Sequence, residues 1–277
     1  MTDRTGALIA IGGHEDKDGD RVILRAVAER LQGGKLVIAT VASHEPEGYF
    51  EAYRQAFSGI GVTDLVELYL DEREDTLDPT RQQLIASAAG IFFTGGDQLR
   101  IVSQMGETPL EELVRDLHAR GGVVAGTSAG ASAQSETMLV RGNGAESYRI
   151  GDLHLAPGLG LLSDVIIDQH FAERGRIGRL LGAIAHNPRL LGIGIDEDSA
   201  IIVEGRCFNV IGSGAVTIVD AGAVTHSNIA EAAPDRTLSL HHVVLHALSA
   251  GDRFDLDARQ PLPGPVDPGK AEDKALS

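Results

Sequence analysis

Ser128 stands in Gly126-Thr127-Ser128-Ala129-Gly130, directly after Gly121-Gly122-Val123-Val124-Ala125. A serine flanked by small residues at the end of a buried strand is the pattern of a nucleophile elbow, a sharp strand-to-helix turn that pushes the hydroxyl outward. The amides that open the following helix face the same point. One turn thus supplies an attacking oxygen and donors for the charge that grows on a substrate carbonyl. Small-residue turns also serve packing alone, so the chemistry needs a base. Val165-Ile166-Ile167 reads as a short buried strand, and Asp168-Gln169-His170-Phe171 follows at its carboxyl end, where open α/β sheets meet ligands. His170 can reach Ser128 from there; its plainer role is packing beneath a loop. An acid must orient the imidazole, and Asp196-Glu197-Asp198 follows the apolar run Gly192-Ile193-Gly194-Ile195. Glu197 is the choice, although spacing leaves Asp196 and Asp198 open and acids in turns often accept backbone amides. The chain order Ser, His, acid differs from that of α/β-hydrolases, so the elbow belongs to another scaffold.

Two glycines, Gly95-Gly96, end the buried run Ile91-Phe92-Phe93-Thr94. They let the backbone come close to a ligand, and the Gly96 amide can pair with that of Ala129 as an oxyanion hole. Arg174, Arg176 and Arg179 follow the His170 segment, with Arg176 and Arg179 at the spacing of one helix face. Guanidinium forks match carboxylates, while the plainer reading is a solvated helix face.

The elements that position these residues alternate. Strands are expected at 7–11, 36–41, 65–70, 90–94, 122–125, 164–168 and 191–195, then a β-rich stretch at 200–219. Helices are expected at 19–31, 47–58, 79–88, 98–104, 109–119, 128–135, 173–185 and 238–249. Alternation of this kind predicts a parallel sheet covered on both faces. Residues 1–257 read as a single catalytic α/β domain. From about Ala258, Pro261, Pro263, Pro265 and Pro268 precede mixed charges, which predicts a disordered tail over 258–277.

The 277 residues are 43% hydrophobic, enough for one substantial core. The formal net charge of −16 argues against nucleic acid or an anionic membrane as a partner. No run approaches the roughly 20 apolar residues of a membrane span, and no secretory pattern precedes Ala7 to Ile11, so a cytoplasmic location is expected. The single cysteine, Cys207, excludes an internal disulfide and reads as a small core residue in a hairpin strand. His242 and His246 are four apart in an expected helix, yet no HExxH pattern accompanies them, so no metal is expected there.

Gly95-Gly96-Asp97-Gln98, Gly126 to Ala131, Pro157-Gly158-Leu159-Gly160, Asp168 to Phe171, Arg174-Gly175-Arg176 with Arg179-Leu180, and Gly194 to Asp198 together resemble the cyanophycinases of the peptidase E-like serine peptidase family, S51. The resemblance covers about residues 6–255, including the opening Ile11-Gly12-Gly13-His14-Glu15-Asp16-Lys17. It implies a flavodoxin-like parallel sheet sandwiched by helices, related to class I glutamine amidotransferases, with a β-rich C-terminal part. It implies a triad of Ser128, His170 and Glu197, no cofactor, and a homodimer. Gln98 and Asp168 fall at positions that line the family's substrate pocket; Asp168 could instead cap a helix near Ala172. Gly142 to Ser147 falls where a segment borders the active site. The implied substrate is cyanophycin, a polyaspartate with arginine on each β-carboxyl, cut to β-Asp-Arg by a serine exopeptidase. The alternatives are an α-aspartyl or isoaspartyl dipeptidase and a non-catalytic binding module. Beyond a turn at the end of the first strand, the residues give no role to Gly12 to Asp16.

Overall fold

The runs Leu8–Ile11 (β1), Leu36–Ala39 (β2), Gly90–Phe93 (β4) and Val123–Thr127 (β5) are buried along their whole length, as strands without polar alternation must be. In the computed structural model, which describes residues 5–142, 153–230 and 236–263, they form the centre of a nine-stranded sheet. Leu65–Leu68 (β3) lies at one edge. Beyond β1 the sheet continues through Ser199–Glu204 (β10), Cys207–Gly212 (β11), Arg253–Asp255 (β16) and Gln260–Leu262 (β17). The order is β17-β16-β11-β10-β1-β5-β4-β2-β3, with every pair from β1 to β3 parallel and every pair from β1 to β17 antiparallel. Counted from β2, the parallel half reads 2-1-3-4-5, the flavodoxin order, with the fifth place taken by the N-terminal strand.

Alternating side chains send the two faces of this sheet to different helices. Ile9, Ile38, Phe92 and Ala125 pack on Val22–Arg30 (α1) and Tyr49–Ser58 (α2), where Phe57 and Phe92 meet edge to face at 5.6 Å. Ala10, Val37, Phe93 and Val124 pack on Pro79–Ala86 (α3), Gln98–Met105 (α4) and Pro109–Ala119 (α5). Burying each large apolar side chain of this kind is worth about 1.5–3 kcal/mol.

The strands expected at 164–168 and 191–195 are Val165–Gln169 (β8) and Leu191–Ile195 (β9), but they lie outside the large sheet. They pair in parallel with each other, and β9 pairs with Val216–Asp220 (β12), which pairs with Val244–Leu248 (β15). Ile177–His186 (α7) packs its Leu180 and Ile184 on Ile166 and Val219 of this second sheet. Thr137–Arg141 (β6) pairs with His154–Pro157 (β7), and His226–Ser227 (β13) with Leu240–His241 (β14). The helix expected over 238–249 is therefore β14 and β15, and His242 and His246 share no helix face. Cys207 opens β11 and is half-buried rather than a core residue. Of the end expected to be a disordered tail, residues 258–263 are described and include β17, just before which the Arg259 guanidinium donates to Asp220 at 2.8 Å; 264–277 lie outside the described residues. Among the described residues no helix is long and apolar enough to cross a membrane.

Candidate active site

The strand β5 ends at Thr127, and Ser128 turns the chain with φ 52° and ψ −109° before the short helix Ala129–Ser132 (α6). A non-glycine residue held there costs about 1–3 kcal/mol and persists only where its surroundings enforce it. Ser128 N donates to Ile11 O at 2.9 Å, and Ser128 O accepts from the amides of Ala131 and Ser132. A β-carbon on Gly130 would sit 2.4 Å from Phe93 O, so the elbow requires glycine where two backbones touch. The hydroxyl that emerges lies 2.9 Å from His170 Nε2, and His170 Nδ1 lies 2.6 Å from Glu197 Oε1. With Nδ1–H donating to the carboxylate, Nε2 is left to accept the serine proton. Burial pushes the imidazole below its usual 6.5 and the cations of Arg174 and Arg176 push the same way, against the Glu197 carboxylate, which raises it. The net direction is down, so the ring is neutral at neutral pH and able to take a proton.

Ser128 stands on the large sheet and His170 follows β8 of the second, so neighbouring strands do not set their distance. The segment after β1 does. Ile11 O holds the Ser128 amide, Gly12 O accepts from His170 N at 2.8 Å, and Gly13 O accepts from Asp198 N at 2.8 Å. Gly13 has φ 109°, and a β-carbon there would lie 2.3 Å from His170 Cε1. His14 places Nδ1 3.2 Å from Glu197 Oε2, so the outer oxygen of that carboxylate also has a partner. Beneath the elbow, the buried Glu15 carboxylate accepts from Thr127 Oγ1 at 2.6 Å and from the Tyr53 hydroxyl at 2.5 Å, with Lys17 Nζ at 2.9 Å. Burial, and next the Glu15 charge, push the Tyr53 hydroxyl well above its usual value, which keeps it a donor. Sequence reasoning missed Gly13, His14, Glu15, Lys17 and Tyr53. The signal available was an acid and a lysine two residues apart behind a Gly-Gly pair at a strand end.

The three acids after β9 separate by partner. Asp196 accepts from the amides of Ala172 and Ala215, and Asp198 from Asp16 N and Ser213 Oγ. Glu197 alone of the three meets His170. Asp196, not Asp168, therefore caps the chain at Ala172.

Two cavities meet at Ser128, and both are lined by Ser128 and Gly96. One, of about 420 Å³, is walled by Gln98, Arg174, Arg176 and Arg179. The other, of about 450 Å³, holds His170, His14, Lys17, Glu47 and Tyr49. The Gln98 side chain is fixed by donation from Nε2 to Leu139 O at 2.8 Å. Asp168 lies beneath the arginine cavity, not in the wall that the described residues form. Completely buried, it takes Arg179 on both oxygens, Nε at 2.7 Å, and Arg176 Nη1 at 3.2 Å. Arg176 also donates to Gln169 Oε1 at 2.6 Å. Burial lowers the Arg176 guanidinium to about 10, still charged at neutral pH. Arg174 is exposed at the rim. Ala129, directly after Ser128, is the first residue of α6, and Gly95, before Gly96, abuts the Ser128 side chain. Of the glycine-rich segment expected to border the site, residues 143–147 lie outside those described. Among the described residues, His14, His170 and Glu197 bring donor atoms within 4.8 Å of one another, a spacing that a metal ion could bridge, but both His170 nitrogens are already engaged.

Comparison with known proteins identifies the family. The description Peptidase family S51 matches residues 8–211. The chain is 40% identical over 262 residues to the cyanophycinase of Trichormus variabilis, covering 93% of this chain and 88% of the relative. It is 38% identical over 265 residues to that of Geminocystis herdmanii, covering 94% and 97%. A crystal structure of a peptidase from an acI-B1 Actinobacterium superposes with a TM-score of 0.65 at 22% identity, over 91% of this chain and 98% of that one, which speaks to the fold.

Proposed function

The chain belongs to peptidase family S51, and from that premise we propose that it is a serine exopeptidase that hydrolyses the aspartate backbone of cyanophycin to β-Asp-Arg. The observation that carries the mechanism is the unbroken line of hydrogen bonds from Ser128 through His170 to Glu197. Ser128 Oγ attacks the backbone carbonyl carbon as its proton passes to His170 Nε2. The oxyanion so formed is held by the Gly96 and Ala129 amides. Collapse breaks the C–N bond; the proton on Nε2 goes to the leaving amine, and the acyl group remains as an ester of Ser128. Water then adds with loss of a proton to Nε2, the ester C–O bond breaks, and the proton returns to Oγ. Glu197 holds the imidazole throughout and balances the imidazolium. The route needs no metal or organic cofactor.

The substrate's chemistry suits the arginine cavity. Each repeat of cyanophycin carries backbone and side-chain carbonyl oxygens and the free α-carboxylate of its arginine, and Arg174, Arg176, Arg179 and Gln98 line the space beside the nucleophile. Asp168 serves by holding two of those guanidinium groups in place. Curated relatives at about 40% identity that carry the name cyanophycinase support the substrate.

The test is incubation of the purified protein and its Ser128→Ala variant with insoluble cyanophycin, read by mass spectrometry beside α-aspartyl and isoaspartyl dipeptides. Wild type alone should release β-Asp-Arg. An untouched polymer with cleaved dipeptides would move the assignment to an aspartyl dipeptidase. Silence on every substrate, with no labelling of Ser128 by a fluorophosphonate, would overturn the enzymatic reading.

A further inference from the structure

An acyl-transfer site must hold two halves of its substrate, one on each side of the scissile carbonyl. Here the nucleophile stands where two cavities of similar size meet, and Gly96 borders both. The proton transfers decide which half goes where. His170 lines the 450 Å³ cavity and is absent from the described lining of the arginine cavity. A general acid must come within about 3 Å of the nitrogen it protonates. The leaving amine therefore departs on the His170 side, and the acyl half occupies the arginine cavity.

The wall of the His170-side cavity carries both signs of charge. Lys17 is an ammonium fixed from below: Nζ lies 2.9 Å from Glu15 Oε1 and 3.3 Å from Glu15 O, and 4.8 Å above the centre of the Tyr53 ring. Glu47, which lines the same cavity, is exposed just before Gly48, whose φ of 86° starts α2. Tyr49 follows as the first residue of that helix and leaves 41% of its surface open. A carboxylate beside an open aromatic face is the pairing that receives a guanidinium, and an ammonium receives a carboxylate. A volume of about 450 Å³ suits a single residue with a long side chain.

We propose that this cavity is the leaving-group subsite and takes a zwitterionic residue bearing a guanidinium, with Glu47 and Tyr49 on the guanidinium and Lys17 on the carboxylate. The proposal rests on the acyl-transfer mechanism given above and specifies the second half of its substrate. Selectivity for what leaves resides on α2 and the loop before it, apart from the arginines that select what is acylated.

The test uses two substrates with the same acyl half. One is a two-repeat cyanophycin oligomer; the other carries a coumarylamide as its leaving group. The ratio of kcat/KM, oligomer over coumarylamide, should fall about tenfold in Glu47→Gln and in Tyr49→Ala, and be restored in Tyr49→Phe. An unchanged ratio in these variants, whether both rates fall together or neither does, would overturn the proposal. A second arm stands apart from the cyanophycin reading. Ser128 is acetylated with p-nitrophenyl acetate, and the acetyl-enzyme is partitioned between argininamide and leucinamide. The amine nitrogen attacks the acetyl carbon, the bond to Ser128 Oγ breaks, and the amine's proton returns to Oγ through His170. Wild type should favour argininamide severalfold, and Glu47→Gln should lose that preference. Failure of wild type to cleave the oligomer would sink the substrate reading, whereas equal capture of the two amines would sink the subsite.

Discussion

Gly13→Ala tests whether the loop after β1 sets the catalytic geometry. The new β-carbon would lie 2.3 Å from His170 Cε1 and 2.6 Å from Nε2, whereas ordinary contact begins near 3.4 Å, so the ring must retreat by about 1.1 Å (3.4 − 2.3). A displacement of about 1 Å between reacting groups costs on the order of 100-fold in rate, or about 2.7 kcal/mol of transition-state stabilisation. The expected outcome is a loss of about two orders of magnitude in kcat/KM on the oligomer, matched by a similar loss in the rate of fluorophosphonate labelling at Ser128. Alanine at φ 109° is also strained, so backbone strain must be separated from the clash. Gly205→Ala provides the control: its φ is 66°, nothing lies within 4 Å of the added carbon, and it occupies the turn between β10 and β11. That variant should lose stability and keep its turnover. A folded Gly13→Ala protein within threefold of wild type, or an equal loss in Gly205→Ala, would refute the reasoning.

Three further outcomes follow from the electrostatics. Burial and the Arg174 and Arg176 charges hold His170 below 6.5, so the acid limb of the labelling rate should lie below that value. Arg174→Ala removes a charge that opposes the imidazolium and should move the limb to higher pH, by less at high salt because Arg174 is exposed; a limb that stays put or moves down contradicts the assignment. Asp168→Asn leaves the buried Arg176 and Arg179 without their counter-ion and should destabilise the fold by about 3–5 kcal/mol, read as a lower urea midpoint at unchanged m-value; an unchanged midpoint would show that the pair is compensated elsewhere.

Ser128 and His170 were legible because each lies just past a short apolar run, Val123-Val124-Ala125 and Val165-Ile166-Ile167, and the carboxyl ends of such runs are where α/β folds place their chemistry. Glu197 could be chosen but not separated from Asp196 and Asp198, since what separates them is distant: Ala172 and Ala215 for one neighbour, Asp16 and Ser213 for the other. The same limit explains β14 and β15. Leu240, Val244 and Leu248 recur every four residues, as on a helix face. Pairing of β15 with β12, more than twenty residues earlier, makes the second segment a strand, and no local period carries that information. Asp168 was misplaced for a related reason. A carboxylate two residues before His170 reads as a contact residue, while the arginines that enclose it lie a turn and a helix start away.

The parallel alternation suggested one sheet with Ser128 and His170 at the carboxyl ends of its strands, and in that arrangement the distance between them would follow from strand order. With β8 in a second sheet, it does not. The strand ends could slide past each other without breaking a ladder hydrogen bond, and what prevents this is a run of backbone carbonyls. Ile11, Gly12 and Gly13 hold in turn Ser128, His170 and Asp198, the neighbour of Glu197. Carbonyls cannot be read from side-chain identity, which is why Gly12-Gly13-His14-Glu15 offered no role in the sequence. The two glycines carry the constraint into the amino-acid sequence: position 13 must leave room for the imidazole, and a β-carbon at position 12 would lie 2.0 Å from Asp196 O. Glu15 extends the same clamp downward, tying Thr127 of the elbow to Tyr53 of α2 and neutralised by Lys17. Lys17 also faces the cavity on the His170 side. One short loop thus fixes Ser128, His170 and Glu197 across the seam between two sheets and contributes a charge to the wall of the second cavity, so the two halves of the proposal, positioning of the chemistry and reception of the leaving half, share a single structural origin.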